Sequence, residues 1–443
     1  MKLTLLTGVA AAALFANAAF AADLATKKAA LPPPPPPVWT DTLTVTGWLS
    51  GGITPNFSNH INDFNFGHLF TDRTGPLFNQ GVLTIQRPLD PKATGFDYGF
   101  KVQGMVGSDA RYTHFLGELD YVIRDRTQLD IVEAFAIAHF PVLFEGGVDV
   151  KVGQFVTLEG AELITAPDNV FYSHSYIFNF GIPLKHTGVM TISHALPWLD
   201  IYAGVTTGVN TSIGWPGDNN NSASFHGGVG LNLFDGELTV LATTHIGPEN
   251  PKQLDPWGVG WPNTPVVCGC DPNSTLRYLN DMVVTWKATE DLTFITDLNY
   301  IRDDGGNVDP FTGRGRGVEG YGVAQYATYK INDIFKIGGR LEIWRDNNGF
   351  FVAGYPSSVD FANLQHGFPT PSLITAPPTT YLEATLGVTI TPEVPKNPII
   401  TGLILRPEIR YDTSLNNTTP FVNGTRGTQV TFGFDAIIPF TLR

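Results

Sequence analysis

Beyond its N-terminal leader, the chain nowhere offers the roughly eighteen uninterrupted apolar residues that a membrane helix needs, so a helical membrane span is excluded. Charge is sparse as well, at 15% Asp, Glu, Lys and Arg, yet mean hydropathy sits at +0.01. That balance fits neither a disordered chain nor a helical membrane protein. Basic residues are the scarcer sign: the formal charge is -14 and there is no Lys/Arg run. Phosphate recognition needs a basic face, so nucleic acid is excluded as a partner. Cysteine is almost absent. The two present, Cys268 and Cys270 in VVCGCDPNS, form a C-x-C pair that is short for an unstrained disulfide and has too few ligands for a zinc site by itself. In an exported chain this reads as a local disulfide in a surface loop, with two free thiols as the alternative. Also missing are G-x-S-x-G and H-E-x-x-H, the short signatures of serine hydrolases and zinc proteases.

What is present begins with MKLTLLTGVAAAALFANAAFAAD. Lys2 supplies a basic start, an apolar stretch follows, and Ala19 and Ala21 form an A-x-A cleavage pattern, so residues 1–21 read as a secretory signal. No Cys follows the cleavage site, which argues against lipoprotein processing. Residues 22–40 carry PPPPPP, which cannot donate backbone hydrogen bonds or join a sheet and prefers an extended spacer. They read as a periplasmic tether, and the folded part is expected over 41–443.

In LILRPEIRYD, residues 403–412, Arg406, Glu408, Arg410 and Asp412 alternate with Leu405, Pro407, Ile409 and Tyr411. A helix would mix the two sets, whereas a strand sends successive side chains to opposite faces. Pro407 fits awkwardly, because it removes a ladder hydrogen bond, and is expected near a strand end or bulge. The same alternation runs through FDYGFKVQGMVG, YLEATLGVTI, VTFGFDAIIPF and residues 335–343. Weaker versions lie at 43–53, 115–123, 129–139, 147–155, 187–194, 199–209, 225–234, 238–246, 280–287, 292–301 and 320–329. Between them are tight turns such as LPWLD and FDGE, and long connections at 55–80, 210–224, 247–278, 303–319 and 346–379. The two sizes tend to alternate.

A soluble β-sandwich also has one apolar and one polar face per strand. Its strands are nearer five or six residues, however, while segments of about ten, tilted about 45°, match the apolar band of an outer membrane. The expected fold is therefore an all-β, transmembrane, antiparallel up-and-down barrel of about sixteen strands (range about 12–18), with long extracellular loops. Its apolar face meets lipid, and its charged face looks inward. Asp97, Lys101, Asp297, Lys336, Arg340, Glu342, Glu383, Arg406, Glu408, Arg410 and Asp435 are accordingly expected to line an aqueous pore. Tyr411, Trp286, Trp344, Phe335 and Phe440 fall near strand ends, where aromatic girdles sit.

The most specific text is GQFVTLEGAELITAPDNVFYSHSYIFNFGIPLKHTGV, residues 153–189. Through Gly153, Asn169, Phe171, Tyr172, Ser173, Phe180, Pro183, His186, Thr187 and Gly188 it resembles the β-barrel porin type 2 family, the OmpL-like outer-membrane porins. The resemblance implies a Gram-negative outer-membrane channel for passive diffusion of small hydrophilic solutes or ions, with no catalytic residues. One departure is the ending PFTLR, which sets Phe440 three places short of the terminal aromatic of many such barrels. Residues 157–186 do not alternate and are too long for a hairpin turn, which suggests a loop folding into or over the lumen. His174, His186 and His194 match no common ligand spacing, so no metal and no cofactor are expected. A plugged structural or adhesive barrel is the alternative function. A hydrolase built on Ser173 with His174 or His186 is a weaker one. The partners expected are outer-membrane lipid and solutes. A homo-oligomer is left open, because the outward faces show no feature readable as a subunit interface.

Overall fold

The computed structural model describes residues 42–58, 64–91, 93–115, 118–119, 122–123, 126–213, 220–250, 270–308, 315–353 and 376–443. The leader, the tether and Cys268 lie outside these residues; Cys270 is disulfide-bonded. Sixteen antiparallel strands close into one barrel, each paired with its sequence neighbours and the first with the last. They are β1 Thr44–Ile53, β2 Leu77–Arg87, β3 Asp97–Gly107, β4 Gln128–Phe140, β5 Val148–Val156, β6 Lys185–Leu196, β7 Leu199–Thr206 and β8 Ser224–Leu233. The second half comprises β9 Leu238–Pro248, β10 Leu276–Lys287, β11 Leu292–Val308, β12 Gly315–Lys330, β13 Phe335–Asp346, β14 Thr379–Ile390, β15 Ile404–Ser414 and β16 Thr428–Thr441. In hydrocarbon an unpaired backbone N–H or C=O has no water to turn to, so only a sheet without edges can span. Here the β1 and β16 seam, from Thr46 opposite Thr441 to Ile53 opposite Phe434, supplies that closure. Leu442 N–H also donates to Val45 O, extending the seam past Phe440.

Alternation sorts the wall. Leu341, Leu386, Ile409 and Phe432 are exposed on the outside, and in neighbouring strands Leu386 lies opposite Ile409 and Ile409 opposite Phe432. The residues between them, Arg340, Glu342, Thr385, Glu408, Arg410 and Thr431, are buried on the inside. An arginine turned to lipid at mid-membrane would cost about 2–4 kcal/mol, so a one-residue slip of β15, turning out both Arg406 and Arg410, would be prohibitive. Most long connections leave one rim, and the tight ones, including the two-residue turn between Leu196 and Leu199, sit on the other, together with the longer link between Ile390 and Ile404.

Three details correct the expectation. Among the described residues of 115–123 there is no strand: Phe115 is buried outside any strand and Leu119 has φ 58. The missing strand is β2, Leu77–Arg87, which begins within the expected 55–80 connection and continues beyond it. A register shift between Ser50 and Gly51 places Asn79 as an extra residue, so Asn79 and Gln80 are both buried and the period of two breaks at that bulge. Trp344 does not join a girdle. It lies on the inner face of β13, fully buried, whereas Tyr411, Trp286 and Phe335 are exposed on the outer wall. Pro407 pairs with Phe434 on one side. On the other, the β14 to β15 ladder lapses between Gly387 opposite Glu408 and Ile390 opposite Leu405 without a change of register, so the proline sits where no ladder donor is required.

Candidate functional site

The site is the barrel interior, and residues 157–184, between β5 and β6, occupy it. Their backbone is held by the inner charges of the wall. Glu408 accepts from Tyr172 N–H at 2.8 Å and Ser173 N–H at 3.1 Å. Glu342 accepts from Tyr176 N–H at 2.6 Å and Ile177 N–H at 2.8 Å. Asp281 and Asp297 each accept at 2.9 Å, from Gly160 N–H and Ala161 N–H. From the cationic side, Arg406 donates to Ala166 O and Asn169 O, both at 2.8 Å. Arg340 donates to Ser173 O at 2.9 Å, and Arg410 to His174 O. A non-regular chain buried in a barrel has unmet N–H and C=O groups, and charged side chains are strong partners for them.

The wall charges are also paired with one another. Arg340 bridges Glu383 and Glu162, Arg406 meets Asp435, and Arg410 meets Asp412 at 2.7 Å. The expectation placed these side chains in water. The structure instead buries Asp297, Arg340, Glu342, Glu383, Arg406, Glu408, Arg410 and Asp435, none more than 6% exposed. Alternation reports which face a residue takes but not what covers that face. Of the remaining three, Asp97 pairs with Arg87 at 2.9 Å near the short-turn rim, Lys101 pairs with Glu133, and Lys336 is half-buried on β13. Asp97 and Lys101 keep side-chain exposures of 12% and 24%.

The motif residues explain how the loop is shaped. Asn169 fastens it to itself, donating to Leu163 O and Thr165 O while accepting from Leu163 N–H. Phe171 lies under the Arg340 guanidinium, 5.2 Å from its carbon. Tyr172 O–H donates to Asn79 at 2.8 Å, and its ring approaches Gly52 so closely that a Cβ there would lie 2.6 Å from it. Phe180 packs on Tyr176, with centroids 6.1 Å apart, and Pro183 is buried. Gly153, Thr187 and Gly188 belong to the flanking strands β5 and β6, where Gly153 and Gly188 pair. Gly153 has φ 132, a conformation that favours glycine.

Other loops of the long rim join in. His68 contacts Asp412 at 3.1 Å, Arg111 forks onto Asp72, and Phe66, Phe70, Phe421, Tyr176 and Phe178 form part of an apolar core inside the barrel. Burial holds the His174 imidazole down at about 4, with Glu162 opposing and Arg340 and Arg406 reinforcing the shift, so the ring is neutral at neutral pH. No hydrolytic pair is assembled at Ser173. Its hydroxyl accepts from Arg340 at 3.3 Å, while His186 faces Gly208 O and Thr157 and His174 neighbours Asn169. His194 sits apart, paired with Asp149 and Asp200.

Solved structures share this architecture. The outer membrane channel DcaP of Acinetobacter baumannii aligns with a TM-score of 0.54 at 13% identity, over 90% of this chain and 97% of that one. An anion-selective porin from Comamonas acidovorans gives 0.54 at 10%, over 90% and 99%. OmpT of Vibrio cholerae in its trimer form gives 0.52 at 13%, also over 90% and 99%. At these identities the likeness is one of fold. No curated protein matches in sequence. The family model described as "Putative beta-barrel porin-2, OmpL-like" matches residues 42–440, nearly the whole barrel, and the chain belongs to that family of outer-membrane porins.

Proposed function

We propose that the protein is a passive outer-membrane channel for small hydrophilic solutes or ions, and that residues 157–184 set its bore. The observation that carries this reading is the docking of that loop onto inward charges from β10 to β15, which narrows the closed sixteen-strand cylinder. A barrel of this size without such an insert would be a wide aqueous tube. In this reading the partly exposed Asp97, Lys101 and Lys336 meet permeating solute at the short-turn end, and the chain carries out no catalysis. Planar bilayers containing the purified protein are expected to show ohmic conductance steps, and liposomes containing it to swell in sugar solutions.

A second reading, a plugged structural or adhesive barrel, is favoured by the apolar core that several loops build inside the wall. Correctly folded protein that leaves bilayers silent and liposomes unswollen would decide for it.

The leader reading places the mature N-terminus at Ala22, with the tether on the periplasmic side. A homo-oligomer is supported by a feature legible only once the strands are in register. On the outer face, Thr244 donates to Asn280 at 3.0 Å, and Thr296 donates to Gln325 at 2.7 Å. Polar groups turned outward on four successive strands favour cover by protein over lipid, and OmpT is a trimer in the form compared. Native mass spectrometry of the outer-membrane protein is expected to read a chain beginning at Ala22, in multiples of one mass. A single retained leader or a strict monomer would refute the corresponding half.

A further inference from the structure

His186 on β6 and the cross-strand neighbours His226 on β8 and His245 on β9 converge at the root of the loop. All three are fully buried. Their ring centroids lie 4.2, 5.0 and 5.7 Å apart, and one ring nitrogen from each lies within 4.8 Å of the others. The hydrogen bonds fix which nitrogens carry lone pairs. A carbonyl can only accept, so Gly208 O, 3.0 Å from His186 Nδ1, accepts a hydrogen bond from that nitrogen's N–H and leaves Nε2 as the lone pair. A carboxylate can only accept, so Glu249, 2.7 Å from His245 Nε2, does the same there and leaves Nδ1. That Nδ1 is buried with no hydrogen-bond partner. Leu158 N–H, which can only donate, stands 3.3 Å from His226 Nε2, so the lone pair of that ring is on Nε2 and its proton on Nδ1.

Buried polar atoms are almost always satisfied. A buried, unpartnered lone pair on His245 Nδ1, beside the lone pairs of His186 Nε2 and His226 Nε2, therefore points to a ligand that accepts them. Glu249 also resembles the carboxylate that commonly stands behind a metal-bound histidine. It is itself fixed, accepting from Ser224 Oγ–H and Val209 N–H, each at 2.8 Å. We propose that His186, His226 and His245 form a binding site for a borderline divalent transition-metal ion of the Zn2+ class, with Glu249 orienting His245. Imidazole nitrogens suit such an ion, and three of them leave a fourth position open. At metal–nitrogen distances of about 2.0–2.1 Å the ligand atoms stand roughly 3.4 Å apart, so the rings close inward on binding. The bound ion ties β6, β8 and β9 together beside Thr157, whose hydroxyl already stands 3.2 Å from His186 Nε2. This inference does not depend on what the channel conducts.

The test uses full-length barrel purified without a polyhistidine tag, stripped with chelator and dialysed against Zn2+ alone. Bound metal is then measured by elemental analysis and X-ray absorption. One ion per chain with a three-imidazole shell is expected, lost in His245→Gln and in His226→Gln. Glu249→Gln should keep the ion but bind it about 10–100-fold more weakly. Migration on unheated gels reports whether each variant still folds. If a variant does not fold, the wild-type stoichiometry and ligand shell decide. Wild type that takes up no ion, a shell lacking imidazoles, or an ion retained by folded His245→Gln would overturn the site.

Discussion

Replacing residues 159–183 with a short Gly/Ser connection is expected to raise single-channel conductance several-fold while leaving the barrel folded. The ends of the excised piece are already neighbours, because Val156 lies opposite Lys185 in the β5 to β6 ladder, so a tight turn closes them without moving a strand. What leaves is the chain lying against Asp281, Asp297, Glu342 and Glu408. What remains is a row of inward charges that water can hydrate at little cost, in contrast to the penalty for a buried charge that loses its partner. The bore then takes the form that alternation alone suggested, lined by Arg406, Glu408 and Arg410. Bilayer recordings check this directly. A deletion that folds and conducts like the parent would mean that the loop does not limit flow.

Arg340→Met is expected to destabilise the docked loop by about 3–5 kcal/mol, the cost of removing one partner from a buried ionic network. Arg340 is central because it serves both Glu383 on the wall and Glu162 on the loop, and also donates to Ser173 O. Methionine fills similar volume but leaves two buried carboxylates facing each other's charge. The loop can lift and admit water, which caps the penalty at the free energy of docking. The change should therefore appear as long, noisy high-conductance intervals before it appears as a lower unfolding temperature. Adding Glu162→Gln and Glu383→Gln to Arg340→Met should restore quiet traces, since neutralising the two stranded carboxylates is cheaper than leaving them unpaired, and Arg410 keeps Asp412. If Arg340→Met alone is as quiet as wild type, the network does not hold the loop.

Much of the wall was readable because its physics is local. A period of two, interrupted by turns of two sizes, is enough to place fifteen of the strands and to say which side of β13 to β16 faces inward. The failures have equally specific causes. β2 was lost because one inserted residue, Asn79, puts two polar side chains on the same face. The alternation over 115–123 is of the kind that arises by chance over a few residues. Trp344 was assigned to the rim on its position near a strand end, although the even positions of β13 all turn inward. The loop itself was recognisable as an insertion and by its family motif. Its partners were not, since Glu408 and Tyr172 are separated by 236 positions and no spacing rule connects them. The histidine cluster was invisible for the same reason. Only His186 stood out in sequence, beside His174 and His194, and the structure sends those two elsewhere.

The same separation governs the order of assembly. Residues 157–184 are followed in the chain by β10 to β15, and a sheet that has not yet curled cannot bring Glu342 or Glu408 within reach of Tyr176 or Tyr172. Contacts of such high sequence separation form late, after the intervening chain is in place. By the same rule the seam between β1 and β16, which joins the two ends of the barrel, closes last, so Glu342 and Glu408 can capture the strap of residues 157–184 before the wall is sealed.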